Sequence, residues 1–78
     1  MTAPKLGASA VALGIKLKAL RLSRGWTKKY VGRYIGVSYT AIRHWENGER
    51  IPRADRLFTL ADLYGVTVAD LWCGEAAA

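Results

Sequence analysis

No aspartate or glutamate occurs between Met1 and Trp45. The same stretch carries nine basic side chains: Lys5, Lys16, Lys18, Arg21, Arg24, Lys28, Lys29, Arg33 and Arg43. Residues 46–78 hold three basic and six acidic groups, so the net charge of +6 is lodged in the first half. A chain divided in this way presents one electropositive face and one near-neutral or acidic face. Polyanions bind such faces because neutralised phosphates release condensed counterions, although a basic surface can also be merely solvated. Cysteine is scarce too. Cys73 is alone, which excludes an internal disulfide and fits a reducing cytoplasm. No apolar run approaches the roughly 20 residues that span a bilayer, so no membrane partner is expected. The opening MTAPKLGASAVALGI imitates a secretion signal only superficially, because its A-S-A triplet precedes the apolar stretch and Gly14 interrupts that stretch. A lone histidine and scattered acids offer no metal-ligand spacing, no nucleophile–base pair and no glycine-rich phosphate cradle. Enzyme activity, cofactors, metals and small-molecule ligands are therefore not expected.

What remains is one small helical domain. Its 78 residues allow a modest core, with no room for a separate sensor or catalytic domain, and 51% apolar content is ample for a globular fold. Residues 1–10 read as a flexible tail and residues 74–78 as a frayed end, with the domain over 11–73. The first helix is expected from about Val11 to Arg24, with Leu13, Leu17 and Leu20 as its buried stripe. The segment TKKYVGRYIGVSYTAIRHWENG, residues 27–48, then predicts two short helices joined by a tight turn. Thr27 caps the first, Gly36 ends it in a left-handed conformation, Ser38 caps the second and Gly48 stops it. Val31, Ile35, Val37, Ile42 and Trp45 turn apolar surface inward. A fourth helix ends at Tyr64, with Leu57, Leu60, Ala61 and Tyr64 on one face. Thr67 and Asp70 form a capping box, with aspartate in place of the usual Glu or Gln, for a last helix carrying Val68, Leu71 and Trp72. No segment alternates like a strand, so the fold class is all-α, a compact five-helix bundle.

The ordered motifs from Leu13 to Trp72 resemble the phage Cro and repressor proteins, the Xre-type helix-turn-helix regulators. They are the Leu20–Arg21 pair, G-W-T before the second helix, I-G-V-S at the turn, W-E-N-G at the end of the third helix, and L-Y-G-V-T before the last. The resemblance implies a lambda-repressor-like DNA-binding domain, a double-stranded DNA operator as partner, and usually a symmetric homodimer. It also implies residue roles. Tyr39, Thr40, Arg43 and His44 occupy positions that reach base edges, with Arg43 suited to the O6/N7 pair of guanine. Thr27, Lys28, Ser38, Asn47, Arg50 and Arg53 are expected on phosphates, setting docking register without reading sequence. Lys28 stands where the family often has Gln, so it meets a phosphate as a point charge while the bracing of a neighbour is in question. Arg21 and Glu46 match a partly buried salt bridge between the first and third helices.

Two groups of aromatic residues are treated separately. Trp26 and Trp45 fall on core-facing positions, whereas Tyr30 and Tyr34 form an exposed pair four residues apart. Val68, Leu71 and Trp72 are expected to form a two-fold contact, with capping of the monomer core as the alternative. The functional expectation is a sequence-specific regulator in the cytoplasm, reading a palindromic operator with the helix over about 39–47. The alternatives are a protein-interaction or antitoxin-type module without specific readout, or a non-specific RNA binder.

Overall fold

Thr27 and Ser38 each start a helix by the same device. The Thr27 hydroxyl accepts a hydrogen bond from the Tyr30 amide at 3.0 Å, and the Ser38 hydroxyl accepts one from the Ala41 amide at 3.1 Å. Each thereby satisfies one of the amides that a helix start leaves without an intrahelical partner. A computed structural model describes residues 6–71, and the side chains of residues 10–71. Its helices are α1 (Leu6–Ser23), α2 (Lys28–Ile35), α3 (Tyr39–Glu46) and α4 (Ala54–Tyr64). A fifth, α5, is described over residues 68–71. Among the described residues there is no strand, and the fold is all-α with five helices.

The turn between α2 and α3 depends on Gly36, whose φ of 80° is left-handed. Its amide and that of Val37 both donate to the Gly32 carbonyl, which closes the end of α2. A side chain at residue 36 would strain this corner. Helix α5 opens with the reciprocal pair expected from Thr67 and Asp70. The Asp70 amide donates to the Thr67 hydroxyl at 3.0 Å, and the Thr67 amide donates to the Asp70 carboxylate at 3.1 Å. These bonds hold the Asp70 carboxyl below its ordinary value.

Helix α1 starts at Leu6, ahead of the expected Val11. No proline separates the two positions, and Ala10 is already buried in the bundle, so the helical start lies inside what the sequence marked as a tail. Leu13 and Leu17 are buried as expected, but Leu20 is only partly so, and Arg21 takes the inward position beside it. Val31, Ile35, Ile42, Trp45, Leu57, Leu60, Ala61 and Tyr64 complete the core, with Val37 at its margin.

Leu71 also belongs to this core, with 3% of its surface exposed, and Val68 packs against it half-buried. The expected two-fold contact is corrected at Leu71: the chain's own bundle already covers that side chain, leaving it no surface for a second copy. Trp72 and Cys73 lie outside the described residues.

Two arginines counted in the basic total serve the fold. Arg24 donates to the Tyr64 carbonyl at the end of α4, and Arg56 donates to the Ile35 carbonyl at the end of α2 at 3.0 Å. Each places a cation where the helix dipole is negative. Tyr64 itself is 1% exposed and stacks with Trp26 at 6.0 Å between centroids. Burial first, and the Glu46 charge second, push its phenol from 10.0 up to about 12. Because the folded-state value lies above the unfolded one, the stability linked to the protonated phenol is whole below pH 10.0 and is lost as pH rises through about 12. A shift of that size corresponds to roughly 2–3 kcal/mol. Urea unfolding followed by circular dichroism should show this loss in the wild type, and Tyr64→Phe should remove that component of the alkaline slope.

Candidate nucleic-acid interface

Helix α3 is amphipathic in a way that separates two jobs. Ile42, Trp45 and Glu46 are buried, fastening the helix to α1 and α2. The opposite side is open: Tyr39 is 47% exposed, Thr40 and Asn47 are exposed, and Arg43 and His44 are half-buried. The four expected base-reading side chains therefore share one accessible face. Among the described residues, the Arg43 guanidinium has no hydrogen-bond or ion-pair partner, so its fork of donors is available.

His44 is situated differently. Its Nε2 lies 3.7 Å from a Glu49 carboxylate oxygen, too far for a hydrogen bond but close enough for attraction once the ring is protonated. Glu49 is an acid beside the exposed face of α3, and nothing in its place in the sequence marks it as a partner of His44. The chain turns back after Gly48, and the Glu49 amide donates to the His44 carbonyl at 2.9 Å, which brings the pair together. Helical spacing alone does not reveal such a return.

Tyr39, Thr27 and Lys28 meet at the other end of α3. They line a groove of about 700 Å³ with Arg21, Leu22, Gly25, Trp26 and Lys29. The Lys28 ammonium sits 6.0 Å from the centre of the Tyr39 ring, within range of a cation–π attraction. Lys28 thus lies within reach of a neighbouring side chain through its charge, where an amide would use a hydrogen bond. The hydroxyls of Thr27 and Ser38 accept from backbone amides and each keeps a proton to donate. At the far end of α3, Arg50, Arg53 and Arg56 line a second groove of about 420 Å³ with Trp45 and Ile51. Arg50 and Arg53 are exposed, although Arg53 also lies 3.4 Å from Asp55. Basic side chains consequently flank the open face of α3 at both ends.

Arg21 borders the groove beside Tyr39, but its donors are committed within the fold. Its Nε and Nη2 donate to the two oxygens of Glu46 at 2.7 and 2.9 Å, and its Nη1 donates to the Trp26 carbonyl at 2.8 Å. Both partners are buried, at 6% and 7% exposure. The Glu46 hydrogen bonds raise the Arg21 pKa, so it stays charged at any working pH. One side chain thereby ties α1, α3 and the turn before α2, which makes it structural.

Comparison with known proteins identifies the architecture. Residues 17–71 match the helix-turn-helix family. The chain belongs to this family, in its Xre-type branch. It is 33% identical over 60 residues to the HTH-type transcriptional activator BcrR of Enterococcus faecalis, a match covering 77% of this chain and 29% of that protein. The chain thus spans under a third of that relative. Among solved structures, the clp gene regulator ClgR from Corynebacterium glutamicum superimposes with a TM-score of 0.80 at 25% identity, covering 97% of this chain and 78% of that one. The S. venezulae BldD DNA-binding domain gives a TM-score of 0.72 at 33% identity, covering 83% and 97%. This helix-turn-helix domain is of the kind found in transcription regulators, which are not enzymes. No described helix is long and apolar enough to cross a membrane.

Proposed function

We propose that this helix-turn-helix domain binds double-stranded DNA sequence-specifically, as a regulator that docks on a palindromic operator as a homodimer in the cytoplasm. Helix α3 enters the major groove, and two such helices meet half-sites about one helical turn, ~34 Å, apart. The observation that carries the reading is the open outer face of α3, where Thr40 and the unpartnered Arg43 guanidinium stand beside the braced Tyr39 ring. Arg43 is the guanine reader, and Thr40 and Tyr39 suit a thymine methyl. His44 contributes a base or phosphate contact only when it turns from Glu49. The amide ends of α2 and α3, with Thr27, Lys28, Ser38, Asn47, Arg50 and Arg53, hold the backbone. A two-fold partner would meet the half-buried Val68 rather than Leu71, which is internal. The BcrR, ClgR and BldD resemblances support the regulatory class, while repression or activation depends on what lies beside the operator.

In vitro selection of bound duplexes tests this directly, yielding site, symmetry and spacing together. Affinity for the selected duplex should exceed that for random duplex by ~10³ or more, with steep salt dependence. A ratio near one would reduce the interface to bare charge. Arg43→Ala should cost about 1–3 kcal/mol and relax preference at one base position. Lys28→Ala should weaken every sequence, with an added loss at the base under Tyr39 because the ring loses its brace. Titration of labelled duplexes carrying single base changes separates the two patterns.

A further inference from the structure

The outer side of α2 carries Tyr30, Arg33 and Tyr34, to which DNA reading gives no role. Tyr30 and Tyr34 are 46% and 64% exposed, with ring centres 6.3 Å apart. Trp26 continues the row, 5.2 Å from Tyr30. Lys29 and Arg33 run beside it, one helical turn apart, and the four α2 residues with Thr27 line a shallow groove of about 520 Å³ that no acidic side chain enters. We infer that this groove docks an acidic, extended peptide segment of a partner protein. Apolar side chains or prolines of that segment lie along the tyrosine row, and its carboxylates meet Lys29 and Arg33.

Three physical arguments select this occupant. The buried side of α2, Val31 and Ile35, packs toward α3, and Lys28 leans to Tyr39, so Tyr30, Arg33 and Tyr34 face the other way, while Lys29 borders both this groove and the one beside Tyr39. Tyr30, Arg33 and Tyr34 do not line the groove beside Tyr39. A second copy packed there about a two-fold axis would gather both copies' Lys29 and Arg33 in one seam with no acidic side chain of the groove between them. Charge complementarity with an apolar row instead suits an anionic peptide, for which aromatic and arginine side chains are the favoured anchors.

The probe is a capped octapeptide of two Glu-Asp-Pro-Leu repeats, titrated into the full ¹⁵N-labelled chain without DNA, so that the outcome does not depend on operator recognition. Amide shifts should centre on residues 29–34. The matched peptide with Gln and Asn should bind more weakly. Arg33→Glu combined with Tyr34→Ala should weaken binding roughly tenfold or more while the helical circular dichroism is kept, since both side chains are exposed. Shifts centred on α3, or none at all, would overturn the inference. So would tighter binding of an eight-residue oligothymidine at residues 29–34, or concentration-dependent self-association through them, which would reassign the groove to nucleic acid or to a second copy.

Discussion

Arg21→Ala should destabilise the folded chain by about 3–5 kcal/mol, a large part of the whole stability of a domain this small. The effect exceeds any favourable contribution of the pair. Removing the guanidinium strands the Glu46 carboxylate, 7% exposed, without the two donors at 2.7 and 2.9 Å that now satisfy it. The Trp26 carbonyl loses its donor as well. Glu46→Ala should fall in the same range by leaving the arginine unpaired. The double variant Arg21→Met with Glu46→Leu should recover most of the loss, because apolar pairs of similar volume replace buried ion pairs at little cost. Chemical denaturation of the four proteins measures each of these losses. Near-silent single variants would mean that solvent reaches the pair. Since α3 is anchored through Glu46, single variants that still fold should also bind DNA less tightly.

Gly14→Ala should be the second severe change, costing about 1–3 kcal/mol through overpacking even though alanine favours a helix by about 1 kcal/mol. A Cβ at residue 14 would lie 2.5 Å from the Trp45 carbonyl oxygen and 2.6 Å from that of Glu46. These are backbone atoms at the end of α3 and cannot rotate away, so the two helices must separate. Thermal unfolding should fall by roughly 4–8 °C for each kcal/mol lost. DNA affinity should drop with it, since the shift moves α3 against the rest of the domain. A variant as stable as the wild type would mean that α1 slides without cost.

Much of this molecule is legible in the order of its residues because the relevant forces are local. Thr27, Gly36, Ser38, Thr67 and Asp70 act on amides and carbonyls within a few positions of themselves, so the caps and turns follow from spacing. Burial at Leu13, Leu17, Ile42, Trp45 and Leu60 follows from the 3.6-residue period, as does the exposure of Tyr30, Tyr34, Tyr39 and Thr40. The family likewise emerges from motifs ordered along the chain. Other features depend on distant segments meeting. Arg24 and Arg56 look like surface cations in the sequence, yet each ends on a carbonyl of another helix. Leu71 reads as an apolar residue on a short terminal helix, and only the packed bundle encloses it. Gly14 looks like a break in an apolar run, but it is a point where α1 lies against the backbone at the end of α3. Glu49 comes near His44 through the return of the loop, and Lys28 reaches Tyr39 across the turn. Periodicity determines which side of a helix is apolar. Only the angles and distances between helices decide what lies opposite that side, because those depend on how all the side chains fit together at once.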